Sequence, residues 1–150
     1  MQRPSIETTM LVVAAALAQR ATCIKLSVGC VMTDHYGRIL SAGYNGMPMS
    51  LAHCNEGNNF CTGPCLATHA ESNALLSCRD ISSIHTCYVT HSPCLACVKQ
   101  LIQTECRRIV YMTDTEEVEA ASKLWNRVGR TWYQHPVDVE YKRRVSITDR

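Results

Sequence analysis

Two short stretches of the chain carry the residue types best suited to chemistry. Glu71 follows His69 by two positions, and Cys94 and Cys97 form a Cys-x-x-Cys pair directly after Pro93. One imidazole and two thiolates suit Zn²⁺, and a set of three protein ligands leaves the fourth tetrahedral position open, as in catalytic zinc sites. We therefore predict a catalytic zinc site with His69, Cys94 and Cys97 as ligands.

Glu71 is the candidate proton carrier of this site. Zinc makes hydroxide available near neutral pH, and a carboxylate beside the metal can take a proton from water and hand it to a substrate. The arrangement H-x-E followed by P-C-x-x-C is the signature of zinc-dependent nucleobase deaminases. The alternative is a structural site of the zinc-ribbon type, in which Glu71 is a surface carboxylate.

Composition limits the classes of protein that fit. The chain has 150 residues, which predicts a single domain over 1–150, and its apolar content of 46% is enough for a core. No apolar run is long enough to span a bilayer, and no convincing signal peptide is present, so we expect a cytoplasmic protein without a membrane partner. The net charge of +2 is too small to indicate a positively charged surface for a long polyanion, so we expect no nucleic acid partner.

Hydrophobic periodicity and turn residues predict alternating helices and strands. Helices are expected over Ser5–Arg20, His69–Asp80 and Thr115–Val128. A further helix is expected to begin at Pro93, with Cys94 and Cys97 in its first turn. Strands are expected over Leu26–Thr33, Arg38–Tyr44, Thr86–Thr90, Arg108–Met112 and Thr131–Tyr133. This alternation predicts an α/β fold with a five-stranded mixed sheet covered on both faces, its last two strands parallel. The segment from about 136 to 150 is expected to be a polar tail.

Ten cysteines is a high count, and their clustering near histidines indicates metal rather than disulfides in a chain of this kind. A second, structural zinc could bind within the aperiodic segment 50–68 and just before the first strand, with Cys23, Cys54, Cys61 and Cys65 as ligands. Free buried cysteines are the alternative, and His53 is an equal candidate ligand. The remaining cysteines, Cys30, Cys78, Cys87 and Cys106, are predicted on core faces.

Five stretches together resemble the deoxycytidylate (dCMP) deaminases, a branch of the zinc-dependent cytidine and deoxycytidylate deaminase family. They are Ala21-Thr22-Cys23, Val28-Gly29-Cys30-Val31, Gly43-Tyr44-Asn45-Gly46-Met47-Pro48, His69-Ala70-Glu71-Ser72-Asn73-Ala74, and Ser92-Pro93-Cys94 with Cys97. The resemblance covers roughly residues 5 to 135. It implies a three-layer αβα sandwich of the cytidine-deaminase type, a homohexamer, and conversion of dCMP to dUMP for thymidylate supply. It also implies activation by dCTP and inhibition by dTTP, with Mg²⁺ accompanying the triphosphate.

The same resemblance assigns roles to individual residues. His69, Cys94 and Cys97 become the zinc ligands and Glu71 the proton shuttle, and Cys23 and Cys54 match ligand positions of a second zinc in some relatives. Asn45 is expected to contact the deoxyribose or base, because an amide both donates and accepts, although a turn residue between glycines is the alternative.

Polar groups around these motifs are candidates for further contacts. Some relatives carry a substrate-contacting tyrosine after the fourth strand, where this chain reads Thr113-Asp114-Thr115, and Thr115 is taken as the candidate contact. Lys25, Ser27 and Arg79 are candidates for the effector or the phosphate, with Ser27 assigned to the substrate and Lys25 and Arg79 to the effector. Each of these could equally be a solvated charge or a cap.

Two other functions compete with dCMP deamination. One is deamination of another cytosine or adenine substrate, and the other is a non-catalytic, zinc-stabilised binding scaffold, because a fold does not decide a function. Glu71 favours catalysis, since a binding module has no need of an acid beside an open zinc position.

Overall fold

The computed structural model describes residues 2–54 and 64–145. The first helix, α1 (Ile6–Ala18), begins where the side chain of Ser5 accepts a hydrogen bond from the backbone N–H of Thr8, at 3.1 Å. Such a cap satisfies one of the free N–H groups at a helix start. The predicted helix over Ser5–Arg20 is confirmed apart from its final residues.

The five strands form one mixed sheet in the order β2-β1-β3-β4-β5. Their bounds are β1 (Gly29–Thr33), β2 (Ile39–Tyr44), β3 (Thr86–His91), β4 (Arg108–Thr113) and β5 (Thr131–Gln134). β1 is antiparallel to both β2 and β3, whereas β3, β4 and β5 run parallel. The predicted mixed sheet with parallel final strands is confirmed, and the β3–β4 pair is parallel as well.

The remaining helices are α2 (Ala70–Ser77), α3 (Leu95–Ile102), α4 (Val118–Arg127) and α5 (Val139–Arg144), with a 3₁₀ turn at Ile81–Ser83. One core cluster joins α1 to the sheet through Leu11, Val31 and Tyr88. The other cluster joins α2, α3 and α4 to the opposite face and contains Ala74 and the fully buried Trp125. Helices therefore cover both faces of the sheet, which is the predicted three-layer αβα sandwich.

The strand expected over Leu26–Thr33 begins only at Gly29 in the structure. The cause is Asn45, whose side chain accepts a hydrogen bond from Val28 N at 2.8 Å and donates one to Leu26 O at 2.7 Å. These bonds occupy backbone groups that a neighbouring strand would otherwise pair. The segment before β1 is thus held as a shaped loop.

Three predicted helix boundaries also differ from the structure. Helix α2 ends at Ser77 rather than Asp80, because Asp80 instead caps the 3₁₀ turn by accepting from Ser82 N. Helix α4 starts at Val118 rather than Thr115, because Thr115 is hydrogen-bonded to Ser92. Pro93 lies outside α3, whose cap is Cys94.

The carboxyl-terminal part of the chain forms a short helix, α5 (Val139–Arg144), where the sequence predicts only a polar tail. Asp138 caps it by accepting from Glu140 N at 3.0 Å, and its last turn carries Lys142, Arg143 and Arg144. Acidic residues at the start and basic residues at the end both favour the helix dipole. None of the helices in residues 2–54 and 64–145 has the length and hydropathy that a membrane-spanning helix needs.

Candidate metal centre and catalytic site

The candidate site lies at one edge of the sheet, where four strands begin or end together. Because β1 is antiparallel to β2 and β3, its start at Gly29 lies beside the ends of these two strands, at Tyr44 and His91. β4 is parallel to β3 and ends at the same edge, at Thr113. In α/β sheets, ligands bind outside the carboxyl ends of parallel strands.

Two helices begin at this edge, and each has a predicted zinc ligand as its cap residue. His69 precedes α2 and Cys94 precedes α3, and neither side chain is used as a helix cap. Asn73 ties α2 to the sheet by donating to Tyr44 O at 2.8 Å. The free N–H groups and positive ends of the two helices therefore face the same region and favour negatively charged sulfur and oxygen there.

The structure brings His69, Cys94 and Cys97 together. Nδ1 of His69 lies 3.4 Å from Sγ of Cys94 and 3.4 Å from Sγ of Cys97. A nitrogen and a sulfur bound to one tetrahedral zinc ion are separated by about 3.5 Å when Zn–N and Zn–S have their usual lengths. Among the described residues, these three form the one group of His, Cys, Asp or Glu side chains close enough to share a metal ion. The donor set and its spacing fit zinc.

The thiols of Cys94 and Cys97 have pKa values shifted in opposite directions. Hydrogen bonds from Cys97 and from the His69 ring lower the pKa of Cys94 to about 4. The hydrogen bond with Cys94 and burial raise the pKa of Cys97, and the Cys94 sulfur raises the pKa of His69. The thiolate form is therefore favoured at Cys94 and disfavoured at Cys97, so metal binding displaces the proton of Cys97 against this preference.

Glu71 lies in the first turn of α2, two residues after the exposed His69. It is 4% exposed, and its Oε2 accepts a hydrogen bond from Sγ of Cys97 at 3.1 Å. Burial raises the pKa of the Glu71 carboxyl, although the hydrogen bond from Cys97 opposes that shift. The carboxyl is thus beside the three-residue group but not part of it, and it is poised to hold a proton.

A cavity of about 540 Å³ opens in front of this cluster. Its volume is within the range of small-molecule sites. The lining residues come from the segment before β1, from the end of β2, from the start of α2 and from the loops after β3 and β4. The residues with polar or ionisable side chains are Cys23, Lys25, Asn45, Cys65, His69, Glu71, His91, Ser92, Cys94, Asp114, Thr115, Glu116 and Glu117.

Residues 4–113 match the family model described as the zinc-binding region of cytidine and deoxycytidylate deaminases. The chain belongs to this family. The match covers α1, the first four strands and both helices that carry the metal cluster. The conclusion agrees with the resemblance found in the sequence motifs.

Curated relatives and a solved structure extend the comparison. The chain is 33% identical to the deoxycytidylate deaminase of Saccharomyces cerevisiae over 87% of its own length, but spans only 45% of that relative. It is 35% identical to the deoxycytidylate deaminase of Mycobacterium phage D29, over 74% of this chain and 97% of the phage protein. The dCMP deaminase of cyanophage S-TIM5, solved in complex with dCMP and dUMP, aligns with a TM-score of 0.76 at 25% identity, covering 90% of this chain and all of that one.

The predicted substrate residues fall into two groups within this deaminase fold. Asn45 and Thr115 line the cavity, whereas Ser27 is buried and is not part of the lining. The amide of Asn45 is already bonded to Val28 and Leu26, which leaves one N–H and one lone pair for a ligand.

The two predicted effector residues are also separated. Lys25 lines the cavity, but Arg79 lies beyond the carboxyl end of α2, the end of that helix opposite to Glu71. The structure does not bring the two side chains to one site.

The predicted ligands of a second zinc are only partly described. Cys23 and Cys65 both line the cavity, whereas Cys54 does not, and Cys61 lies outside the described residues. The described members of this set do not form a group close enough to share an ion. Of the cysteines predicted in the core, Cys30, Cys87 and Cys106 are fully buried and Cys78 packs against the core cluster.

Sequence reasoning missed several residues that line the cavity at the ends of β3 and β4. Ser92 joins the two loops: its Oγ accepts a hydrogen bond from Thr115 N at 2.8 Å. Asp114 is held by Tyr111, whose hydroxyl donates to its carboxylate at 2.8 Å. The tendency of ligands to bind beyond the carboxyl ends of parallel strands was the signal that could have identified both loops.

Proposed function

We propose that the chain catalyses the hydrolytic deamination of dCMP, in which dCMP and water give dUMP and ammonia. The observation that carries the proposal is the His69–Cys94–Cys97 cluster with the buried carboxyl of Glu71 beside it, in a cavity large enough for a nucleotide. The names of the yeast and phage relatives, and the dCMP and dUMP bound in the cyanophage enzyme, support cytosine nucleotides as substrate.

His69, Cys94 and Cys97 would hold the zinc beside the cavity. A zinc ion held there lowers the pKa of water and so supplies the nucleophile. Glu71 would take the proton that the attacking water loses and give it to N3 of the cytosine ring. It would then carry the proton of the new hydroxyl at C4 to the amino group, which leaves as ammonia. Burial suits Glu71 to this role, because a raised carboxyl pKa brings proton uptake and release closer in energy near neutral pH.

The test is the loss of ultraviolet absorbance of dCMP with purified zinc-loaded protein, run beside cytidine, deoxycytidine and cytosine. We expect dCMP to be converted in preference to the other three. Glu71→Ala should retain the zinc and lose activity by about 10³-fold or more. Loss of both zinc and folded structure in that variant would contradict the assignment of Glu71 as proton carrier. Conversion of none of the substrates would favour a different base or a non-catalytic scaffold.

We further propose the regulatory and metal properties that the family resemblance implies. These are activation by dCTP and inhibition by dTTP with Mg²⁺ on the triphosphate, a homohexamer, a cytoplasmic location and a contribution to dTTP synthesis. Of the two predicted effector residues, Arg79 remains the candidate, because its place beyond α2 keeps it clear of the cavity. Adding dCTP or dTTP with Mg²⁺ to the dCMP assay, and light scattering for subunit number, test these properties.

A second, structural zinc held by Cys23, Cys54, Cys61 and Cys65 remains part of this proposal. Cys23 and Cys65 support it by lining the same cavity. Elemental analysis should then find two zinc ions per chain, and Cys65→Ser should lower that number to one while His69, Cys94 and Cys97 retain theirs. One zinc ion per chain in the unmodified protein would remove the second site.

A further inference from the structure

Charge is distributed unequally along the cavity. Lys25 precedes β1, on the side of the sheet formed by β1 and β2, and it is the one Lys or Arg among the described residues of the lining. Three carboxylates, Asp114, Glu116 and Glu117, follow β4 on the opposite side. The metal cluster lies between the two sides, where α2 and α3 begin.

The segment that carries Lys25 is fixed rather than free. Asn45 bonds to the backbone at Leu26 and Val28, and Asn45 N donates to Val28 O at 3.2 Å. Lys25 N donates to Sγ of Cys23 at 3.4 Å, which adds a contact on the other side of the lysine. The chain therefore holds the backbone of Lys25 in place, and the exposed lysine side chain lines the cavity.

A bound nucleotide has to place its negatively charged phosphate somewhere between the lysine side and the carboxylate side of the cavity. The cytosine ring must reach Glu71 and the metal cluster, so the 5′-phosphate extends either toward Lys25 or toward the three carboxylates. A phosphate dianion is repelled by carboxylates and attracted by an ammonium group, and both effects act at short range in a partly enclosed site.

We propose that Lys25 is a specificity-determining residue that binds the 5′-phosphate of the substrate and so distinguishes the nucleotide from the nucleoside. This inference rests on the proposed deaminase function and concerns the same cavity. Of the two roles that the sequence suggested for Lys25, effector contact and phosphate contact, it selects the second. A charge-assisted contact of this kind is expected to change the KM for dCMP by about 10- to 100-fold.

The experiment compares dCMP with deoxycytidine in the unmodified protein, Lys25→Met and Lys25→Arg. Lys99→Met is the matched control, because Lys99 is an exposed lysine of α3 outside the cavity. We expect Lys25→Met to raise the KM for dCMP by about 10- to 100-fold with kcat changed by less than about threefold. The kinetics with deoxycytidine should be unchanged, and Lys25→Arg should restore most of the dCMP affinity. If deoxycytidine turns over too slowly, its Ki against dCMP gives the same comparison.

Two results would overturn this role of Lys25. An unchanged KM for dCMP in Lys25→Met would place the phosphate elsewhere, and an equal loss for dCMP and deoxycytidine would make Lys25 a structural residue of the loop. Failure of the underlying function gives a different result, because the unmodified protein would then not deaminate dCMP at all.

Discussion

Gly43 on β2 lies directly against the backbone of α2, the helix that carries Glu71 in its first turn. A Cβ added at Gly43 would lie 2.6 Å from Ala70 O and 2.7 Å from Ala74 N. Both of these atoms belong to helix backbone and cannot rotate away. To bring the first contact from 2.6 Å to an ordinary 3.4 Å, the start of α2 has to retreat by about 0.8 Å.

Gly43→Ala should therefore affect both stability and catalysis. Inserting a methyl group into a tight contact costs about 1 to 3 kcal/mol of unfolding free energy. Ala70 lies between His69 and Glu71, so the same retreat moves the proposed zinc ligand and the proposed proton carrier relative to Cys94 and Cys97. A displacement of this size can reduce kcat/KM by about 10- to 100-fold.

The measurements are thermal unfolding, zinc content and the rate of absorbance loss with dCMP. Gly129→Ala is the control, because Gly129 is constrained only by its backbone, with φ of +74°, and a Cβ there meets nothing within 4 Å. That variant should lose about 1 kcal/mol of stability from strain alone and keep its kcat/KM. A folded Gly43→Ala protein with unchanged kcat/KM would refute the view that contact with Gly43 sets the position of α2.

Two further predictions concern residues around the sheet. Asn45→Ala leaves Val28 N and Leu26 O without their partner and should cost about 1 to 3 kcal/mol in chemical denaturation, with a smaller loss in Asn45→Asp, where the bond from Val28 N survives. For Glu7, burial raises the carboxyl pKa, but hydrogen bonds from the backbone and from Arg108, at 3.1 Å, outweigh it and hold the pKa below its ordinary value of 4.5. Because the pKa of Glu7 is lower in the folded state, ionised Glu7 stabilises the protein at pH values above 4.5. This stabilisation is lost as the pH falls through the pKa of the folded state. Glu7→Gln should thus cost about 0.5 kcal/mol at pH 7 and less at pH 3, and an equal cost at both would contradict an electrostatic origin.

The grouping of His69, Cys94 and Cys97 with Glu71 beside them, and the order of helices and strands as far as β5, were predictable from the sequence. His69 and Glu71 lie within three residues at a helix start, and Cys94 and Cys97 within four at another. Residues this close along the chain keep their mutual geometry whenever the helix forms, so their types and spacing already specify the donor set. Periodicity and turn residues set the order of elements for the same local reason.

Only the tertiary structure decided which other side chains face the ligand cavity. Lys25 lines it and neighbouring Ser27 does not, because the bonds from Asn45, far along the chain, hold that segment as a loop instead of a strand. Asp114 and its neighbours enter the site because β4 runs parallel beside β3, and Arg79 is left out because it follows the far end of α2. These outcomes depend on pairing between segments far apart in sequence, and no local pattern of residue types encodes which face such a segment turns toward the cavity.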